Sequence, residues 1–93
     1  MKNEISKEKL LKYFNLTETA FEKVKNNIFE GKVVEAREII EMVGNYLSDA
    51  HHFEEKGDFV NAFAALNYSH GWLDSGVRLD IFDVDDNELF TIK

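Results

Sequence analysis

Four polar residues in the last third of the chain have the spacing of a small site: Asn67, His70, Asp74 and Arg78. On a helix that advances about 100° per residue, the first three share one side and Arg78 follows one turn later. One interpretation makes His70 a base or ligand that Asp74 orients, with Asn67 as a second polar contact. The other makes His70 a mostly buried imidazole whose N–H needs a carboxylate or carbonyl partner. We favour the structural interpretation, because three short helices rarely form the pocket that catalysis needs.

The remaining histidines, His51 and His52, stand near acidic residues and suggest a metal site. Adjacent residues on a helix diverge by about 100°, so both cannot hold one ion. His51 and Glu55 have the i, i+4 spacing of a one-helix zinc site, but two ligands are too few. Residues 83–87 begin like a calcium-binding loop, but Glu88 stands where that loop requires glycine. The sequence therefore predicts no metal and no cofactor.

Helical periodicity dominates the chain that carries these residues. Apolar residues recur at spacings of three and four between glycine breaks. The pattern predicts three helices, at about residues 5–29, 33–56 and 58–79. Ser6 and Asp58 are candidate N-caps, and Gly31 and Gly57 are candidate left-handed residues after helix ends. Because such short connections make neighbouring helices antiparallel, we predict an all-α, up-down-up three-helix bundle.

The tail at residues 81–93 has a different pattern, with two β-prone tetrapeptides around an acidic turn. This pattern predicts a short extended or hairpin-like segment. An isolated hairpin is marginal in water, so its apolar residues need the bundle or a second chain to pack against. With 93 residues in all, the chain has room for one core, and we predict a single domain over residues 1–93.

Charge and composition exclude several classes of partner. Acidic side chains outnumber basic ones by 18 to 11, and the excess lies in residues 41–93. Nucleic acids and anionic membranes are bound by clustered Lys and Arg, so we expect neither as a partner. The acidic second half favours a protein with a basic face. Residues 1–14 lack the apolar run of a secretory signal and the chain has no cysteine, which predicts a cytoplasmic location.

A second apolar stripe on the third helix suggests a partner surface made of Ala65, Tyr68, Trp72 and Gly76. These residues lie about 120–180° from the principal apolar face of that helix. Small residues let another backbone approach, and Tyr and Trp are enriched among the residues that dominate binding energy. The alternative is a wide core stripe, because each helix of a three-helix bundle touches two others.

Residues 53–58 (FEEKGD) and 68–74 (YSHGWLD) resemble motifs of a known family. The chain is similar to the short archaeal proteins of domain-of-unknown-function family 357, and departs from their pattern at Ser69, where alanine is expected. The resemblance implies a three-helix, spectrin-repeat-like bundle and implies no activity.

Two functions follow as hypotheses. The first is a non-enzymatic interaction module that binds another protein or a second copy through the third helix and the tail. The second is a small helical nucleotide-binding or nuclease-like domain with its site at Asn67, His70 and Asp74, similar to helical domains of toxin systems. Those nucleases carry an arginine four to six residues before a histidine, and neither Arg37 nor Arg78 is so placed.

Overall fold

The computed structural model describes residues 4–91 and contains three α-helices. They are α1 (Lys7–Lys25), α2 (Val33–Glu55) and α3 (Phe59–Arg78). α2 runs antiparallel to both other helices, in a body of 44 × 23 × 18 Å. The predicted all-α three-helix bundle is confirmed. No helix in the described part of the chain is both long and apolar enough to cross a membrane.

Side-chain caps begin the first and third helices at the predicted positions. The Ser6 hydroxyl accepts the Lys9 amide at 3.1 Å, and the Asp58 carboxylate accepts the Asn61 amide at 3.2 Å. Each bond satisfies an amide that the helix itself leaves without a partner. Gly57 ends the turn after α2 with φ +76°, a conformation that glycine adopts without steric cost.

α1 ends earlier than the periodicity predicts, at Lys25 instead of residue 29. The side-chain amides of Asn26 and Asn27 donate to helix carbonyls one turn back, and such bonds compete with continued helix. The chain then runs extended to Phe29. Gly31, at φ +85°, belongs to the turn that precedes α2 and does not directly follow α1.

α3 is the central helix of the bundle, because both α1 and α2 pack closely against it while α1 and α2 approach each other at few positions. Its core residues are small or aliphatic, and they interlock with aliphatic side chains of the other helices. The buried hydrophobic side chains of the three helices are Leu10, Phe14, Ala20, Val24, Ala36, Ile39, Val43, Leu47, Ala50, Ala62, Ala65, Leu66, Leu73 and Val77.

The tail folds back onto its own bundle after a left-handed turn at Asp80 (φ 58°). The Ile81 amide donates to the Gly76 carbonyl at 2.9 Å, which closes the end of α3. The Phe82 ring then fills the space over Gly76, where a β-carbon would lie 2.4 Å from the ring. Phe82 also forms an antiparallel bridge with Ile28. The first part of the described tail is therefore extended and pairs with the connection between α1 and α2, and a turn follows at residues 87–90.

Candidate functional site

His70 joins three parts of the fold through its two ring nitrogens. Nε2 lies 2.6 Å from the Leu89 carbonyl oxygen, and Nδ1 lies 3.2 Å from the Thr17 hydroxyl. A carbonyl can only accept, so the proton is assigned to Nε2, and Nδ1 accepts from Thr17. Thr17 is only 2% exposed, in the middle of α1. The imidazole thus links α1, α3 and the tail by hydrogen bonds within the chain.

The other members of the polar set do not converge with His70 on one pocket. Asp74 Oδ1 accepts the Thr91 amide at 2.9 Å and lies 3.8 Å from His70 Nε2. Asn67 is exposed on another side of α3, and Arg78 is exposed in its last turn. His70 and Asp74 therefore form one unit that fastens residues 89–91, while Asn67 and Arg78 lie apart from it.

The tail has a second polar attachment at its acidic turn. Lys23 Nζ donates to Asp86 Oδ2 at 3.0 Å, and the other oxygen of that carboxylate accepts the Glu88 amide at 2.9 Å. The hydrogen bond from Lys23 and then that from the Glu88 amide lower the pKa of Asp86 below its usual value, because both stabilise the charged form. The acidic run that resembles a calcium loop in sequence is here an ion-paired turn.

The predicted partner stripe divides between the core and the surface. Ala65 and Gly76 are buried, Ala65 in the bundle core and Gly76 beneath the Phe82 ring. Tyr68 is 63% exposed and Trp72 is 41% exposed. The two aromatic residues thus remain available at the surface, while the two small ones already have neighbours within the chain.

Tyr68 and Trp72 belong to a continuous exposed side of α3, which we call the outer face. It consists of Val60, Ala64, Tyr68, Gly71, Trp72 and Ser75. No Asp, Glu, Lys or Arg occurs in α3 from Phe59 to Leu73. The outer face is thus uncharged, in a chain whose net charge is −7.

A shallow depression of about 340 Å³ lies in the middle of the outer face. Its lining consists of Asn67, Tyr68, Gly71, Trp72 and Ser75. A β-carbon added at Gly71 would meet nothing within 4 Å, so packing inside the chain does not require glycine there. Glycine in a helix interior costs about 1 kcal/mol relative to alanine, so this residue lowers stability without an internal benefit.

Sequence reasoning missed Ala64, Gly71 and Ser75 as members of the surface. Their signal was present in the run of uncharged residues along α3 and in a glycine placed mid-helix. The predicted stripe had Ala65 and Gly76 in their place, and only the packing of α2 and the tail shows which side of α3 is left open.

The two other histidines lie away from the outer face. The His51 ring stacks on Phe14 with centroids 4.4 Å apart, and its Nε2 lies 3.3 Å from Glu18 Oε2. His52 is exposed on α2. Within residues 4–91, no three His, Asp or Glu side chains come together as a metal-binding group.

A family model described as "Protein of unknown function (DUF357)" matches residues 12–82, which include all of α2 and α3 and most of α1. The match confirms the resemblance that the FEEKGD and YSHGWLD motifs predict. Neither the curated proteins nor the solved structures contain a significant match to the chain.

Proposed function

The chain belongs to this family of unknown function, and we propose that it is a protein-interaction module that docks a helix of another polypeptide on the outer face of α3. The observation that carries the proposal is the pair of exposed rings, Tyr68 and Trp72, on a helix side without charges. Tyr and Trp are the residue types that dominate binding energy at protein interfaces.

The amount of exposed ring surface supports this proposal. Each of the two rings presents on the order of 100 Å² to solvent, given the area that an aromatic side chain can bury. Together with Val60 and Ala64 they approach the size of the largest patch on a typical monomer, and such a patch often marks a binding site. Tyr68 is also held in place by the ring of Tyr46, which stacks on it with centroids 5.7 Å apart. An anchor that is already ordered loses less conformational entropy on binding.

The position of the tail supports the proposal as well. A tail rich in apolar residues is the obvious segment of this chain to cover Tyr68 and Trp72. Its rings are buried elsewhere, Phe82 over Gly76 and Phe90 beside His70. The tail as far as residue 91 therefore leaves the outer face open.

A binding function fits the polar residues better than a catalytic one. Both ring nitrogens of His70 are engaged by Thr17 and Leu89, so neither is free to exchange a proton with a substrate. Asp74 holds the Thr91 amide. These residues support the fold that presents the outer face.

In-cell photo-crosslinking tests the proposal. A photoreactive phenylalanine analogue replaces Trp72 in one variant and Val34 in a control, because Val34 is 72% exposed on α2. On illumination of cells that express the chain natively, position 72 should give discrete polypeptide adducts and position 34 should not. Equal labelling at both positions refutes docking on the outer face, as does the absence of adducts at position 72 both in cells and in the purified chain at about 0.1 mM.

A further inference from the structure

We propose that the helix docked on the outer face is α3 of a second copy, running antiparallel about a two-fold axis level with the midpoint between Ser69 and His70. This inference rests on the proposed function and adds the identity and register of the partner. It is drawn from three properties of the outer face: its sequence symmetry, its charge and its area.

The outer face is self-complementary about that midpoint. Ala64 and Ser75 lie equally far from it on opposite sides, and the counterpart of Trp72 is Asn67, which lines the central depression. The counterpart of Val60 is Leu79, the exposed residue that directly follows α3. Tyr68 and Gly71 form the innermost pair. In an antiparallel two-fold pair, each residue lies level with its counterpart in the second copy. The arrangement thus sets aliphatic beside aliphatic, small beside small, the Tyr68 ring beside glycine and the Trp72 ring beside the amide of Asn67.

The exposure of the outermost pair and the open space at Gly71 agree with this register. Val60 and Leu79, the outermost pair, are exposed aliphatic side chains. At the centre, Gly71 has open space around it and lets the two backbones approach. Packing within one chain does not require glycine at position 71, whereas close contact between two copies of α3 does.

The absence of charge on the outer face favours a second copy over a basic protein as the partner. Two chains of net charge −7 repel, so their association is favoured at a surface where neither presents acidic groups. The outer face meets that condition from Phe59 to Leu73. A basic partner would find no counter-charge there, because Asp74 is turned toward the Thr91 amide.

The available area predicts a weak dimer. The symmetric stretch from Val60 to Leu79 is about 28 Å long at 1.5 Å per residue. A seam of one helix per copy buries less than about 1,200 Å² in total, the class of weak or transient complexes. We therefore expect association at concentrations near 0.1 mM and mostly monomer in the low micromolar range.

Disulfide trapping tests both the partner and the register, since the chain has no cysteine of its own. Ala64→Cys and Ser75→Cys chains are mixed at about 0.1 mM and oxidised with air. The antiparallel register places residue 64 level with residue 75 of the second copy, so the mixture should form the 64–75 disulfide. Either variant alone should not, because equal residues then lie about 16 Å apart, beyond the limit of about 7 Å between bridged α-carbons. A Val34→Cys chain measures random collisions.

The outcomes separate the inference from the proposed function. Self-linking of each single variant without mixed product would show a parallel pair and overturn the register. A strictly monomeric chain in sedimentation at 0.1 mM overturns the second copy altogether. If position 72 still crosslinks to a different protein in cells, the proposed function stands without the dimer. If it crosslinks to nothing, both fail.

Gly71→Glu provides a variant that folds but should not pair. The space around Gly71 accommodates the side chain in the monomer, so circular dichroism and thermal unfolding should remain as in the parent chain or improve. The added charge lies at the centre of the seam in both copies, so dimerisation should weaken at least tenfold. Undiminished dimerisation of this variant overturns the inference.

Discussion

His70→Ala is the substitution that most directly tests the role of the polar residues on α3. It removes the donor to the Leu89 carbonyl and the acceptor of the Thr17 hydroxyl, which is buried in α1. The same change leaves a gap beside Phe90, whose ring lies 6.4 Å from the imidazole. The tail then loses one of its polar attachments, while those of Asp86 to Lys23 and of Thr91 to Asp74 remain.

The size of the effect follows from these losses. A buried polar group left without its partner costs about 1–3 kcal/mol. Because the His70 side chain is 21% exposed, water can reach part of the site and the lower end applies to each of the two bonds. With the lost packing, we expect about 2–4 kcal/mol, out of a total stability of about 5–15 kcal/mol for a domain. For a domain of this size, that lowers Tm by about 10–25 °C.

Thermal unfolding followed by circular dichroism measures the change, with His52→Ala as the matched control. His52 is exposed on α2, so its loss should alter stability by no more than about 0.5 kcal/mol. A double-mutant cycle with Thr17→Val should show a coupling of about 1 kcal/mol for the bond between His70 and Thr17. A His70→Ala chain that melts with the parent would refute the structural role and reopen the catalytic alternative.

Two further results are expected. Gly76→Ala should destabilise the chain by about 1–3 kcal/mol in urea unfolding, because the new β-carbon would overlap the Phe82 ring. Gly71→Ala should instead stabilise the chain by up to about 1 kcal/mol. The opposite order of the two stabilities would contradict the placement of the two glycines. The depressed pKa of Asp86 gives stability that is fully present above the ordinary carboxyl value of 3.8 and is lost as pH falls through the lower folded value. Urea unfolding from pH 2 to pH 6 should show this loss of stability in the parent chain and not in Asp86→Asn or Lys23→Met. Identical dependence of stability on pH in the parent and the two variants would count against the ion pair.

Much of the fold could be predicted because its determinants are local. The N-caps at Ser6 and Asp58 and the glycine turn after α2 are each specified by a few adjacent residues. The early end of α1 was not predicted: the side chains of Asn26 and Asn27 compete locally with the helix, and the pairing of Ile28 with Phe82, more than fifty residues away, holds the chain extended after it. Periodicity contains no information about such a contact.

Helical spacing alone did not predict which of the candidate residues lie together in the structure. Helical spacing placed Asn67 beside His70, yet the tail contacts His70 and leaves Asn67 in the outer depression. The same spacing placed Gly76 beside Trp72, and Phe82 then covered one and not the other. In both cases the packing of the tail determines which residues lie together. That packing depends on contacts between distant parts of the chain, which helical spacing does not contain.

The distribution of charge over the three helices gives the strongest reason to treat the outer face as a binding surface. Eight residues of α1 and seven of α2 are Asp, Glu, Lys or Arg, and α3 has two. All three helices expose one side to water in the monomer. If solubility alone determined the exposed sides, α3 would carry charges at positions such as Ala64, Gly71 and Ser75, where side chains have room. α3 instead keeps these positions uncharged around two aromatic rings, and few charges together with exposed Tyr and Trp are typical of the centre of an interface.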